Sequence, residues 1–387
     1  MFLKIAFALA LVSLAIWCVL LGARAGFWRV RKPAPSPRPV QWPEVIGIVP
    51  ARNEADVIGR AVAGMLGQRY AGRLRLVVVD DHSDDGTAAI ARQAAADIGR
   101  ADALTVVSAR DLPAGWSGKV WAQSEGLAAA DAIAPEARYI WLTDADIHHG
   151  PGVLAELVAR AEHEQRDLVS LMVRLRCASW WERFIVPAFI FFFAKLYPFA
   201  SIRNPRSKVA GAAGGCMLAR RSALARIGGF AAIRHELIDD CSLAAQIKRG
   251  GPICLDLADD SISLRPYDDW RSLWDMIARS AYTQLHYSPW MLAGACLGMV
   301  LTYLAPPLLA LGGLAAGALL WPAWLAWAMM SLAYLPMLRE YRQPAWLAPL
   351  LPATALFYLG ATIDSARRYW LRRGGQWKGR AQAPVRS

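Results

Sequence analysis

The sequence predicts an α/β domain built on a largely parallel sheet and flanked by membrane helices. Three observations carry that expectation. Short apolar runs rich in β-branched residues alternate with helical stretches from Val45 to about Ser263, the pattern of strands buried on both faces of a sheet. Acidic motifs fall where those runs end, and such sheets bind ligands beyond the carboxyl ends of their strands. Long apolar stretches stand near both ends of the chain, close to the roughly 20 residues that cross a bilayer.

Composition narrows the class. The 387 residues are 56% hydrophobic, contain 17 tryptophans and are only 19% charged. That is too apolar for an ordinary soluble protein. The net charge of +12 raises a nucleic-acid reading. However, Arg24, Arg29, Arg31, Lys32, Arg367, Arg368, Arg372, Arg373 and Lys378 flank apolar runs. That placement fits membrane orientation and anionic headgroups, so a membrane is expected as partner and nucleic acid is not. The six cysteines show no metal-ligand spacing and read as reduced small hydrophobes in a cytoplasmic domain.

Along the chain, residues 1–23 read as a membrane anchor, with Lys4 the one charge between Phe2 and Leu21. Ala23-Arg24-Ala25 resembles a signal-peptide cleavage site, but the basic cluster that follows favours a retained anchor with a cytoplasmic domain after it. Residues 24–43 form a basic linker with five prolines from Pro33 to Pro43, expected to be extended and semi-rigid. The catalytic domain is expected over 44–288. Its strands are Val45–Pro50, Leu74–Val79 and Leu104–Val107, and its helices are Ala55–Leu66 and Gly86–Asp97. Phe184–Phe199 is strongly apolar, short and carries two prolines. It reads as an interfacial helix or groove wall, with a buried core helix as the alternative. Residues 289–364 form a membrane region, with breaks expected near Pro306-Pro307 and Trp321-Pro322. A basic tail covers 365–387. Three full spans in that region would put the tail opposite the catalytic domain, against the placement of its arginines.

The chemistry starts at Thr143-Asp144-Ala145-Asp146, after the strand-like Arg138–Leu142. On extended backbone, residues i and i+2 face one side. A carboxylate pair there suits a hard divalent cation that bridges to phosphate oxygens. Pro50-Ala51-Arg52-Asn53-Glu54 and Asp80-Asp81-His82-Ser83-Asp84-Asp85-Gly86-Thr87 close the first two strands. Carboxylates at strand ends accept hydrogen bonds from a uracil imide or from ribose hydroxyls, although both segments also read as capped strand-to-helix turns. Lys119 follows a glycine-containing turn and suits a diphosphate as a point charge. His148 and His149 read as loop side chains and not as ligands.

In this order and at these strand ends, the motifs resemble the family 2 glycosyltransferases of the nucleotide-sugar-binding GT-A fold. The resemblance implies that Asp80 and Asp81 hold the nucleoside, with Ala51 and Glu54 beside it. It implies that Asp144 and Asp146 hold the donor diphosphate through Mg²⁺ or Mn²⁺, with Lys119 as a donor contact. His235-Glu236-Leu237-Ile238-Asp239-Asp240 opens a helix, and the family places its base on the second of two such acids. Asp240 is therefore the expected base, with Asp239 supporting. Gly211–Leu218 is similar to the small-residue strand that borders the acceptor. The Gln-x-x-Arg-Trp of processive synthases is missing, which implies transfer of a single sugar. Arg279 is the nearest counterpart and is expected near the diphosphate.

Three further segments, Asp111–Lys119, Phe191–Phe199 and Ala212–Leu218, look like the hopene-associated glycosyltransferases, which are bacterial membrane enzymes. The resemblance implies an inverting transfer from a nucleotide-sugar, most simply a UDP-sugar, to a lipid hydroxyl. It places the protein in the bacterial cytoplasmic membrane as a multi-pass protein whose catalytic domain faces the cytoplasm, with hopanoid as one acceptor. A polyprenyl-phosphate glycosyltransferase, a polysaccharide synthase and a non-catalytic scaffold are the alternatives.

Overall fold

The computed structural model describes residues 1–371 and, of residues 376, 377, 380 and 381, the backbone alone. Arg372, Arg373 and Lys378 of the expected tail lie outside the described residues. The chain divides into two compact units. One contains Arg31–Arg176 and Ser201–Pro266; the other contains Met1–Val30, Cys177–Ala200 and residues 267–371. The segments 184–199 and 267–288, grouped with the catalytic domain by sequence, thus fall in the helical unit.

The first unit carries eight strands: β1 (Val45–Ala51), β2 (Leu74–Asp80), β3 (Leu104–Ser108), β4 (Tyr139–Leu142), β5 (Ile147–His149), β6 (Leu168–Arg174), β7 (Met217–Arg220) and β8 (Ile253–Ser263). They form one sheet in the order β3-β2-β1-β4-β7-β6-β8-β5. β3, β2, β1 and β4 are mutually parallel, as are β6 and β8. β7 runs against both its neighbours, and β5 runs against β8. The sheet is mixed and mostly parallel, as the alternating runs predict.

β1 is buried along its whole length. Val45, Val49 and Ala51 share a core with Ile58, Val62, Met65 and Leu66 of the helix Ala55–Leu66. Ile48, on the opposite face, meets the helix Gly118–Ile133 at Gly126. Parallel pairing sets the ends in register, with Ala51 opposite Asp80 and Ile48 opposite Leu142. The turns that follow β1, β2 and β4 therefore rise side by side, and these turns hold the acidic motifs.

Gly126 seats the helix that begins beside Lys119. A Cβ built there would overlap Ile48 Cγ2 and lie 3.0 Å from Val79 Cγ2. Both are stiff, branched side chains on buried strands. Gly126→Val is expected to destabilise the protein by about 3 kcal/mol, because overpacking outweighs the gain of a better helix former. Thermal unfolding in detergent measures this as a lowered Tm, and an unchanged Tm would refute it.

Among the described residues, the helical unit holds three helices long and apolar enough to cross a membrane: Phe2–Ala23, Pro289–Ala315 and Ala345–Trp370. The break expected at Pro306-Pro307 does not occur. The helix Pro289–Met299 passes through a π-helical turn at Val300–Leu304 into Ala305–Ala315, with the prolines in that segment's first turn. The expected break before Trp321-Pro322 is present, and Pro322 opens the helix Trp321–Glu340.

The apolar segment after Ser179 is the helix Trp180–Leu196, started by a capping box in which Ser179 and Glu182 satisfy each other's backbone N–H groups. It continues through Pro187 and buries Ile185, Val186, Ile190 and Phe191.

Candidate active site

Two turns are sewn together at the ends of β1 and β2. The Asn53 N–H donates to Ser83 Oγ at 3.0 Å, the Glu54 N–H to Thr87 Oγ1 at 2.9 Å, and the Ala55 N–H to Asp85 Oδ2 at 2.9 Å. In return the Asp84 N–H donates to Asn53 Oδ1 at 3.1 Å. Asp81 is buried, its N–H bonded to the Ala51 carbonyl at 2.8 Å and its carboxylate 3.6 Å from the Arg52 guanidinium. Asp80 is half-buried and accepts from the Ser83 N–H at 3.1 Å. Ala51, Glu54, Asp80 and Asp81 are thus brought together on one rigid rim.

Beyond β4 the chain does not stay extended. Residues 143–146 turn back at once into β5, with the Ile147 N–H donating to the Asp144 carbonyl at 3.3 Å. The expectation that Asp144 and Asp146 face one side of a strand is corrected by this turn. Each carboxylate instead meets its own cation. Lys119 Nζ lies 2.8 Å from Asp144 Oδ1. The Arg265 Nε lies 2.8 Å from Asp146 Oδ2, and its Nη2 lies 3.0 Å from Glu54 Oε1. Arg265 therefore joins the Asp146 turn to the sewn rim.

Lys119 also ties Asp144 to the expected base. Its Nζ is 3.3 Å from Asp239 Oδ2, and Gln123 Nε2 donates to the same oxygen at 2.9 Å. Asp239 and Asp240 begin the helix Asp239–Lys248. Asp240 accepts from the Gly214 N–H at 2.8 Å and from its neighbour Cys241 N–H at 2.7 Å.

Gly214 leaves the space in which these groups converge. A Cβ there would sit 3.2 Å from Lys119 Nζ, 3.5 Å from Asp240 Oδ2 and 3.7 Å from Asp144 Oδ2. The Ser117 N–H, bonded to the Arg234 carbonyl at 2.8 Å, anchors the Lys119 turn to the segment that leads into Asp239.

One ammonium among three carboxylates leaves excess negative charge. Burial pushes the Asp240 carboxyl up to about 6, and Asp239 adds to the rise against the pull of Lys119 and two backbone N–H groups. Burial alone would lower Lys119, but Asp144 and Asp239 hold its ammonium well above the usual lysine range. Asp240 is thus a carboxylate close to neutral pH, as proton transfer requires.

The residues present fit a divalent ion only in part. Among the described residues no group of three or more His, Cys, Asp or Glu side chains is placed to hold one. Asp144 and Asp146, the carboxylates expected to hold the ion, are paired with Lys119 and Arg265 instead.

His148 and His149 lie on β5 and not in the loop expected of them. His149 is buried, with Nε2 2.9 Å from Thr143 Oγ1 and Nδ1 2.8 Å from Ser261 Oγ. Burial, then the neighbouring His148, depresses it to about 3. It braces the turn as a neutral ring. Arg279 lies in the helical unit, exposed just past the helix Trp270–Ala278. Sequence reasoning missed Arg265 and Gln123. A cavity of about 190 Å³ between Pro33, Leu157, Arg160 and Leu257 contains none of the site residues.

Residues 48–228 match the family model described as glycosyl transferase family 2. They carry a domain of that family, with the GT-A fold. Among solved structures, the chain is similar to a mannosyltransferase from Pyrobaculum calidifontis solved with GDP-Man and Mn²⁺. The identity is 22%, 94% of this chain and 99% of the other are covered, and the TM-score is 0.55. It is also similar to glucosyl-3-phosphoglycerate synthase from Mycobacterium tuberculosis in complex with Mg²⁺ and uridine diphosphate. There the identity is 18%, the coverage 63% of this chain and 79% of the other, and the TM-score 0.42. No curated protein matches the chain.

Proposed function

We propose that the protein transfers one sugar, with inversion, from a nucleotide-sugar, a UDP-sugar in our reading, to a lipid hydroxyl. The transfer takes place at the cytoplasmic face of a bacterial inner membrane, and a hopanoid is one acceptor of the right chemistry. The observation that carries the reading is the Asp144–Lys119–Asp239/Asp240 cluster around Gly214. It sets a carboxylate raised toward neutrality beside the cation that would face a diphosphate.

In this mechanism Asp240 accepts the proton of the acceptor hydroxyl. The freed oxygen forms a bond to the anomeric carbon while the bond from that carbon to the phosphate oxygen breaks. The electron pair leaves with the diphosphate. Gly214 and Cys241 N–H groups aim the Asp240 carboxylate, and Asp239, held by Gln123, keeps Lys119 in place. Lys119 and Arg265 supply positive charge toward the leaving group. Asp144 and Asp146 would hold Mg²⁺ or Mn²⁺, which when bound offsets charge on the diphosphate. Asp80, Asp81, Ala51 and Glu54 form the nucleoside rim.

A base must be unprotonated to act, so the rate is expected to fall as pH drops through about 6, the value to which Asp240 is raised. Asp239 and Lys119 are the charged groups that face it. A kcat/KM profile flat from pH 7 to 5 would contradict the assignment.

We also read the three candidate spans as the crossings. Two crossings after the sheet unit return Arg367 and Arg368 to its side, which removes the conflict with the positive-inside placement. A C-terminal tag and the sheet unit should then be digested together in inverted vesicles. Protection of the tag would refute this topology.

The deciding experiment supplies the purified full chain with a panel of nucleotide-sugars, bacterial lipid extract and Mn²⁺ or Mg²⁺. Release of nucleoside diphosphate together with a lipid bearing one added sugar supports the proposal by mass spectrometry. No release from any donor would leave a scaffold, and long glycan products would indicate a synthase.

A further inference from the structure

Two cations of the helical unit stand without an acid, and one is bonded to the backbone of the other. Arg24 directly follows the candidate span Phe2–Ala23. Its Nε donates to the Lys195 carbonyl and its Nη2 to the Leu196 carbonyl, both at 2.9 Å. The Lys195 ammonium lies 4.7 Å from the ring centre of Tyr303 and 5.8 Å from that of Phe192. The two rings are themselves packed edge to face at 5.2 Å. Among the described residues neither cation meets a carboxylate. Burial first, and then the charge of Arg24, depresses Lys195 to about 8.

Tyr303 is fully buried, and its hydroxyl has no hydrogen-bond partner. Cationic charge without an acid is therefore left at a place built by three segments: the end of the first helix, the end of the helix Trp180–Leu196, and the π-helical turn Val300–Leu304.

We propose that Arg24 and Lys195 hold the phosphate of an anionic lipid headgroup. Phosphate supplies the acceptor oxygens and the charge that the chain itself does not provide here. A lipid, and not free phosphate, is the source favoured by position. A residue directly after a span sits at the edge of the hydrocarbon, and Leu196, whose carbonyl Arg24 holds, exposes apolar surface at 54% for an acyl chain. Lysine and arginine at this depth interact favourably with anionic lipid. The inference goes beyond sugar transfer and stands whether or not the acceptor is a lipid.

The test uses the full chain purified in neutral detergent, exposed to mixed vesicles of phosphatidylglycerol and phosphatidylcholine and then re-isolated. Retained lipid is counted by mass spectrometry. The wild type should retain phosphatidylglycerol over phosphatidylcholine. Lys195→Gln and Arg24→Gln should each lose about fivefold and the double variant about thirtyfold. Lys195→Arg, which keeps the charge, should retain it and guards against misfolding as the cause. Millimolar inorganic phosphate should fail to displace the lipid. Equal retention by the double variant, equal retention of phosphatidylcholine, or displacement by inorganic phosphate would overturn the proposal.

Discussion

Replacing Asp240 with asparagine is expected to lower sugar transfer by about 10²–10⁴-fold, the range of a lost general base, while nucleotide affinity stays within about twofold of wild type. The amide oxygen of the variant can still accept from the Gly214 or Cys241 N–H, so the local backbone keeps its partner. What vanishes is a site that can take a proton near neutral pH. Asp239→Asn should behave differently. Asp239 touches Lys119 and Gln123, so its loss disturbs the diphosphate side and should weaken donor binding as well. Turnover and calorimetric binding measured together separate the two variants. Near-wild-type turnover in Asp240→Asn would remove Asp240 from the role.

Asp144→Asn should act on the other half of the reaction. It deletes the 2.8 Å ion pair with Lys119 and one of the two carboxylates available to an ion that donor phosphates must share. The expected loss is about 10²–10³-fold in kcat/KM, comparable with removing one charge-stabilising group from a leaving-group site. Here, in contrast to Asp240→Asn, donor affinity should fall, and the metal concentration for half-maximal rate should rise. Lys119 would remain with Asp239, so the fold should hold and the Tm should change little. An Asp144→Asn variant with normal donor affinity and normal metal response would separate this residue from the diphosphate.

Much of this was legible in the chain. The first three strands and the helix Ala55–Leu66 were readable because their apolar runs are short, β-branched and cleanly punctuated. The motif positions followed, since parallel pairing brings strand ends together. The right half of the sheet was not readable. β7 has four residues and β5 three, and their antiparallel pairing with distant strands leaves no local periodic signal. The turn at residues 143–146 was invisible for a related reason. An Asp-x-Asp pair looks the same on paper whether its backbone is extended or folded back. Arg265 bonds to Glu54 across 211 positions, which no local pattern encodes. The strand before it, β8, carries three aspartates and two serines and gives no clean apolar run to point to its end. Gln123 was within reach, because it stands four residues after Lys119 and so on the same helix face.

The crossed bonds between Asn53 and the Ser83-Asp84 turn have a consequence for descent. Each side chain satisfies a backbone group of the other turn, so changing one orphans a partner 30 positions away. In an alignment of relatives, positions 53 and 83 should therefore drift as a pair, with exchanges at one tracked by compensating exchanges at the other. Independent substitution at the two columns would show that lineages tolerate either turn coming loose.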